Sequence, residues 1–462
     1  RTPAVLGAAR GRVACDAPAD ALAYWNAPRG DRDAAFVPPF RRPDGAARYL
    51  TFESDGGGWN NIRMNVEIVF VLAAATGRTL VLPLEQPLYL LHHDGERRGR
   101  TFGDFYPLDD PELQKVVKTI SMAEYLRREG GEHGRLPISK EHRPLLKNIK
   151  HRCEKRAKSN MSCFAMDKHL QATGVVPEWQ AQKNCVVFDQ GEMTAAKEAR
   201  IRAFCGKRER VTYDETLQNA TTLHLMSAHK DHRLLNHFYA FLLFTDPAVD
   251  HFYKRFVRDF LRYRDAVFCA AGKIVAALQR EGAASGFRAD AEGAGGYSSL
   301  HVRRGDLQYH AVKIGAEEWW RNTQDIWLPR ELLYVATDEH NRTFFDPLRR
   351  HHRLRFLDDY ADLAGLADVD PNYRGMIDTV VAARGRAFAG TYFSTFSGFI
   401  TRLRGYYGLP GTASFYGMKY YKKVLHKWAN HTTAQSWTRE FPEGWVGIDG
   451  DAVVTDYPPE NS

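Results

Sequence analysis

The stretch Tyr297-Ser298-Ser299-Leu300-His301-Val302-Arg303-Arg304-Gly305-Asp306 decides how this chain is read. Tyr297 to Leu300 opens a short buried strand that runs into a tight turn. Two adjacent guanidiniums at a strand end are costly to bury without anionic partners. Arg forms planar, two-pronged hydrogen bonds that suit phosphate oxygens. Gly305 lets the backbone turn, and Asp306 can fix an Arg or cap the next helix. The turn therefore reads as a site for a diphosphate leaving group. The plain alternative is a surface Arg pair salt-bridged to Asp306.

Downstream, the pattern alternates strand and helix. A helix is expected within Glu317 to Asp325. A strand at Leu332–Ala336 ends at Thr337-Asp338-Glu339, which caps a helix running toward Arg350. Arg353–Leu357 is a further strand, Met376–Ala383 a helix, Arg386–Gly390 a strand and Ser394–Arg404 a helix. Repeated β–α alternation predicts a parallel, doubly wound sheet. The polar groups that look functional follow strands, where such sheets bind ligands.

Upstream lies a second unit of the same kind. Tyr49–Phe52 is a strand, Gly56-Gly57-Gly58 a turn, Asn60–Thr76 a helix stopped by Gly77, and Thr79–Pro83 the next strand. Such a turn aims backbone N–H groups and a helix N-terminus at an anion. It does not fit the dinucleotide fingerprint, and no P-loop is present. Residues 236–282 read as helical, and the Gly/Ala-rich run Glu281–Gly296 as a linker. The expected organisation is an N-terminal stem over 1–47, then an acceptor-side α/β domain over 48–290 with a cysteine-bearing insertion at about 137–235. A second α/β domain follows over 291–408, and a segment over 409–462 packs back on the N-terminal domain.

The bulk properties narrow the class. The chain has 462 residues, 44% apolar and 26% charged, as in an ordinary soluble protein. Its 64 basic and 56 acidic residues give a net charge of +8, mostly interleaved. That suits an anionic small ligand without demanding nucleic acid, and no standard nucleic-acid module is present. No apolar run reaches the roughly 18 residues of a membrane span. Eight Lys/Arg against two Glu over residues 140–158 read as a solvated helix face or loop, or as a contact for an acidic acceptor or a negatively charged membrane surface. The six cysteines contain no C-x-x-C pair, and four of them fall between 153 and 205. With sequons at Asn160, Asn219, Asn341 and Asn430, they point to the secretory pathway lumen, ER or Golgi. A start at Arg1 fits a luminal or processed chain whose signal or anchor has been removed.

Metal and hydrolase chemistry are poorly supported. His92-His93 and His351-His352 are adjacent pairs, not the i, i+4 pairs that place two ligands on one helix face. No Asp-x-Asp stands out for Mn or Mg, and no Gly-x-Ser-x-Gly elbow appears. Asp378 could recognise guanine through its N1–H and exocyclic amine. The Ser394-Thr395-Phe396-Ser397 turn could present helix-start donors to phosphate. An ordinary solvated Asp and an ordinary cap are the plain alternatives.

These residues resemble the GDP-fucose protein O-fucosyltransferase family in its broad sense. Three blocks carry the resemblance in order, across roughly residues 48–408. They are Phe52-Glu53-Ser54-Asp55-Gly56-Gly57-Gly58-Trp59-Asn60-Asn61-Ile62-Arg63; His301 through Asp306; and Asp378 through Gly390 with Ser394–Ser397 and Leu403-Arg404-Gly405-Tyr406-Tyr407. Tyr334–Glu339 looks like the family's strand and helix start. The resemblance implies a GT-B-like α/β fold, two Rossmann-type doubly wound domains facing a cleft, with inversion at the sugar carbon. It also implies that no metal or other cofactor is required beyond the donor GDP-fucose. It places the essential phosphate-binding Arg on Arg303, donor contacts on Gly58 and Asn60, and guanine recognition on Asp378; Gly57 and Trp59 beside them are further substrate-binding candidates. Phosphate contacts fall on Ser394, Thr395 and Phe396, while His301, Arg304 and Asp306 support the Arg turn.

One departure matters. Members acting on thrombospondin-type repeats carry a Glu before the Gly-aromatic-Asn step, as the proposed base; here Gly57 stands there. Glu53 or Asp55, or a donor phosphate oxygen, is left to take the proton. The expected activity is transfer of L-fucose to a Ser/Thr hydroxyl of a protein, for which a small cysteine-rich repeat is one candidate. The rivals are a fucosyltransferase acting on glycan hydroxyls and a non-catalytic GDP-sugar-binding or folding factor.

Overall fold

In the computed structural model the chain divides into two units, Arg29–Arg262 and Tyr263–Ser462 with Arg1–Pro28. It describes residues 36–85, 100–130, 163–227, 232–289 and 295–418, with isolated positions outside these runs. The basic stretch 140–158, Cys153, His92-His93 and the sequons at Asn160 and Asn430 lie outside the described residues.

The N-terminal unit is built on β1 (Tyr49–Phe52), α1 (Trp59–Thr76), β2 (Thr79–Leu82), β3 (Thr119–Ser121), α2 (Met122–Glu129) and α3 (Cys163–Thr173). Then come β4 (Asn184–Phe188), α4 (Ala195–Cys205), β5 (Glu209–Thr212), β6 (Thr222–Leu225), β7 (Leu242–Phe244) and α5 (Pro247–Phe260). Helix α1 is buried nearly all round, which explains its weak amphipathic pattern. Its charged pair Arg63–Glu67, at 2.5 Å and one helical turn apart, is buried with it. Gly77 ends the helix at φ 64°, a left-handed conformation that favours glycine. One parallel sheet runs β3-β2-β1-β6 and a second runs β5-β4-β7.

Two strands of this second sheet, β4 and β5, lie within the cysteine-bearing insertion expected at about 137–235. Its described part is regular, because Asn184–Phe188 is a fully buried run that pairs in parallel on both sides. Cys185 of β4 is disulfide-bonded to Cys205 at the end of α4. Strand β7 likewise interrupts the stretch read as continuously helical. The unit also begins earlier than residue 48. Asp33 takes a two-pronged pair from Arg255 of α5, at 2.6 and 2.8 Å, and Phe36 stacks on Phe252.

The C-terminal unit contains α6 (Asp265–Ala284), β8 (Ser298–Val302), α7 (Ala316–Thr323), β9 (Leu332–Thr337), β10 (Arg353–Arg355), α8 (Arg374–Ala383), β11 (Phe388–Gly390), α9 (Thr395–Tyr406) and β12 (Ser414–Tyr416). The strand order is β10-β9-β8-β11-β12, all parallel. Alternate residues of the central strands serve different layers, as the two-residue period of a strand requires. Leu300, Val302, Leu333 and Val335 join Trp319 of α7 in one core. Ser299 and His301 face the other way, bonding Ala382 O and Ser397 Oγ at 2.6 and 2.8 Å. Helices thus cover both faces, and the expected doubly wound α/β class holds.

Two further domain limits shift. The run Glu281–Gly296 is no linker. Its first part completes α6, and a Cβ on Gly282 would lie 1.7 Å from Gly296 O, so helix and backbone meet there without a side chain between them. The boundary therefore falls at 262/263 rather than about 290. The segment after 408 belongs with the C-terminal unit. β12 extends its sheet, Thr401 Oγ1 donates to Glu440 O at 2.8 Å, and Arg402 pairs with the buried Glu440. No helix among the described residues is long and apolar enough to cross a membrane.

The Gly282 contact predicts that Gly282→Ala destabilises the protein by roughly 1–3 kcal/mol, the usual penalty of overpacking. Urea unfolding would measure it.

Candidate active site

In the C-terminal unit the chain winds from β8 outward through β9 and β10, then returns to the other side of β8 with β11 and β12. The reversal falls between β8 and β11, and ligands bind beyond the carboxyl ends of the strands at such a switch point. Residues 303–306 leave β8 there, and residues 391–394 leave β11. Thr391 joins the two exits. Its hydroxyl donates to His301 O and accepts from Arg303 N–H, both at 3.0 Å. Gly390 is required because a Cβ would lie 2.6 Å from Ser397 Oγ, so only glycine lets α9 come this close.

Asp338, just past β9, shapes the Arg turn. Its carboxylate accepts from Arg304 N–H at 2.7 Å, Gly305 N–H at 2.8 Å and Arg303 Nη1 at 2.5 Å. Asp306 pairs with the other arm of Arg303. Arg304 is tied to Glu339 at 2.9 Å and lies over the Phe344 ring. The salt bridge of the plain alternative is therefore real, and with it comes a second carboxylate that sequence reasoning missed. A diphosphate would compete with Asp306 for the half-buried guanidinium of Arg303.

His301 is buried, bonded to Ser397 and stacked under Phe396 with ring centres 4.3 Å apart. Burial, and then the charge of Arg303, push its pKa down to about 3, so it is neutral. Phe393 has φ 63°, a costly conformation for an aromatic residue. Ser394 follows as the N-cap of α9 without a side-chain bond to the first turn, and Thr395 opens the helix half-buried. Twelve residues of helix dipole thus end beside the Arg turn.

Asp378 lies on α8, against β9. Tyr334 donates its hydroxyl at 2.5 Å. The residue is half-buried, but its carboxyl sits deep, and burial pushes it up to about 7 against the lowering effect of the Tyr334 bond.

The N-terminal unit repeats the plan. Its sheet order β3-β2-β1-β6 places a switch point between β1 and β6. Glu53 follows β1, buried. It accepts from Gln171 Nε2 at 2.6 Å and Ser227 N–H at 3.2 Å, with His224 Nε2 at 3.4 Å. Asp55 is occupied differently. It takes both arms of Arg233 at 2.7 and 2.8 Å and the Gly57 N–H at 2.7 Å, which fixes the glycine turn. A Cβ on Gly57 would meet Asn61 Nδ2 at 2.5 Å and Asp55 Oδ1 at 2.8 Å. Gly58 is the N-cap of α1. Trp59 is turned into the core against Phe105 and Tyr106, and Asn60 accepts from Arg63 at 3.2 Å. The structure thus groups His301, Arg303, Thr391 and Phe396 at one switch point and Glu53, His224 and Gln171 at the other.

His351 stacks on Trp320 and His352 bonds Glu331 O, so that histidine pair is occupied in packing. Asp338 had a faint signal in the strand-ending Thr337-Asp338-Glu339. Thr391, Arg233 and Gln171 had none.

Removing the Asp338 carboxylate would strand two turn N–H groups and one arm of Arg303. Asp338→Ala is expected to lower stability by about 2 kcal/mol, the cost of leaving such groups unsatisfied, read as a shift in the denaturant midpoint.

No curated protein matches this chain. Among solved structures, it is similar to POFUT1 in its apo form, with 12% identity over 81% of this chain and 99% of that one, TM-score 0.37. It is also similar to NodZ α-1,6-fucosyltransferase co-crystallised with GDP, with 13% identity over 78% and 92%, TM-score 0.37. For fucosyltransferase NodZ from Bradyrhizobium the figures are 12%, 78% and 93%, TM-score 0.36. Those superpositions are too loose to transfer any residue. The family model is decisive: it matches residues 49–407, most of the chain. This chain belongs to the GDP-fucose protein O-fucosyltransferase family, and by that membership is a GDP-fucose-dependent fucosyltransferase.

Proposed function

We propose that this chain transfers L-fucose from GDP-fucose to a Ser or Thr hydroxyl of a protein acceptor, with inversion at the anomeric carbon. The observation that carries the reading is the meeting of the Arg turn and the start of α9 at one switch point. Charge grows on the diphosphate as the sugar–oxygen bond breaks. A guanidinium and helix-start amides already in place stabilise that charge more than the ground state. Arg303 is the clamp, and the Ser394–Phe396 turn shares the load. Asp338, His301 and Thr391 hold the clamp in position. In this reading no metal or other cofactor is required.

Asp378 reads the guanine edge, for which it must be ionised. The N-terminal unit handles the acceptor, and Glu53 is the base side of the reaction, since Asp55 is committed to Arg233 and the Gly57 N–H. The disulfides Cys15–Cys269 and Cys185–Cys205 support a luminal setting in the secretory pathway, as do the exposed sequon residues Asn219 and Asn341.

Arg303→Ala should lose at least about 100-fold in turnover, the scale of removing one transition-state charge donor, with the fold intact by circular dichroism. Near-normal transfer by this variant would overturn the clamp. The assay should present folded cysteine-rich repeats beside oligosaccharides, so that a glycan acceptor shows itself.

A second expectation concerns pH. Asp378 holds its proton to about pH 7, so the proton must leave before the carboxylate can accept from guanine. GDP affinity should therefore rise between pH 6 and pH 8 in the wild type. Asp378→Asn should flatten that rise, leaving only the titration of the phosphates. Calorimetry in buffers of different ionisation enthalpy would register the released proton.

A further inference from the structure

The Arg turn carries more negative than positive charge. Arg303 is paired with Asp306 and Asp338, and Arg304 with Glu339. Three carboxylates thus face two guanidiniums, and a diphosphate brought to these arginines alone would meet a net negative charge. Lys313 returns to this turn from the loop that follows it. Its Nζ donates to Gly305 O at 2.5 Å, and its neighbour Ile314 accepts at O from Arg304 Nη1 at 3.2 Å. Lys313 is half-buried and Gly305 is exposed. Unlike the two arginines, Lys313 has no carboxylate partner among the described residues.

The loop that carries Lys313 is fixed on the other exit of the switch point. Val312, buried at 2% exposure, packs with Tyr392 and Tyr416. Tyr309 lies against Phe393 with ring centres 4.8 Å apart. Tyr392 and Phe393 belong to the segment that leaves β11 and leads into α9. The Lys313 ammonium is therefore bonded to the exit of β8, while the residue before it is anchored on the exit of β11. A lysine held in this way gives up less side-chain freedom on meeting a ligand than one loose in solvent.

Resting on the transferase reading above, we propose that Lys313 is a further donor-binding residue, the third cation of the Arg turn, whose ammonium turns from Gly305 O to an oxygen of the diphosphate. A backbone carbonyl is a neutral acceptor and a phosphate oxygen a charged one, so the exchange favours the ligand. With Lys313 the charges of the turn balance before the donor arrives, and the diphosphate adds to a neutral site rather than a negative one. Charge that grows on the leaving diphosphate is then shared between this ammonium and Arg303. The plain alternative is a lysine that only caps the Gly305 carbonyl. The two readings part when the charge is removed and the donor is kept.

The test measures GDP binding to the full chain by calorimetry at low and high ionic strength. Lys313→Gln keeps an N–H donor for Gly305 O and removes the charge. It should weaken GDP at least about tenfold, the scale of one hydrogen bond to a charged group. Its GDP affinity should also fall less steeply with salt than that of the wild type, because one screened charge is gone. Lys313→Arg restores the charge and should stay within about fivefold of the wild type at both ionic strengths. A Lys313→Gln affinity within about threefold of the wild type would overturn the proposal, since a cap alone survives that change. A loss with unchanged salt dependence, or an equal loss in Lys313→Arg, would mean that turn geometry rather than charge was lost, and would overturn it too. The transferase reading fails separately. A wild type that binds GDP yet moves no fucose from GDP-fucose to cysteine-rich repeats, oligosaccharides or water loses that reading, while calorimetry still decides Lys313. A wild type that binds no GDP overturns both.

Discussion

The carboxylate of Asp338 is the constraint on which the Arg turn depends. One side chain at the end of β9 accepts two consecutive backbone N–H groups and one arm of Arg303. The N–H pair fixes the course of the turn, and the guanidinium bond fixes the direction of the arginine. Gly305 follows from the same geometry, because a Cβ there would lie 2.5 Å from Asp338 Oδ2. In the proposed reading, a clamp prepared in this way spends little on ordering when phosphate arrives. It also stays partly neutralised while empty, which lowers the cost of holding a half-buried cation.

Both units use the same device in different chemistry. In each, the sheet reverses direction beside its first strand, and the residues just past that strand carry charge. On the C-terminal side these are arginines, steadied by a carboxylate and a hydroxyl. On the N-terminal side it is a glutamate, steadied by an amide, a backbone N–H and an imidazole. The fold thus sets where charge can be presented, and the residues after the strand set its sign.

The features readable in the sequence were those encoded locally. Gly77 as a helix stop, the Tyr49–Phe52 strand and the β–α alternation after Tyr297 each depend on neighbours a few residues apart. Arg303 and Arg304 stood out because two guanidiniums after an apolar run call for anionic partners, which Asp306, Asp338 and Glu339 supply. The remainder required parallel register, which is a long-range property. Asp338 reaches Arg303 only because β9 pairs with β8, Val302 opposite Thr337. Strands of three to five residues, such as β7 and β12, are too short to show a period. Glycine misled once: around 281–296 it reads as a hinge, whereas Gly282 and Gly296 are small because helix and backbone touch.

The Gly57 departure acquires a physical meaning from its surroundings. In a chain with Glu at that position, the carboxylate would grow from a Cβ needing free space. Here that space is taken by Asn61, by Asp55 and by Arg233, 3.1 Å from where the Cβ would sit. Asp55 and Arg233 lock each other and the turn, so neither a Glu at 57 nor a free Asp55 is compatible with this arrangement. The carboxyl that remains at the strand end is Glu53, four residues earlier, and it has gathered its own donors. The space that a side chain at position 57 would need is thus held by the Asp55–Arg233 pair and Asn61. In the proposed reading the base is Glu53, at the end of β1, where α3 and β6 supply its partners.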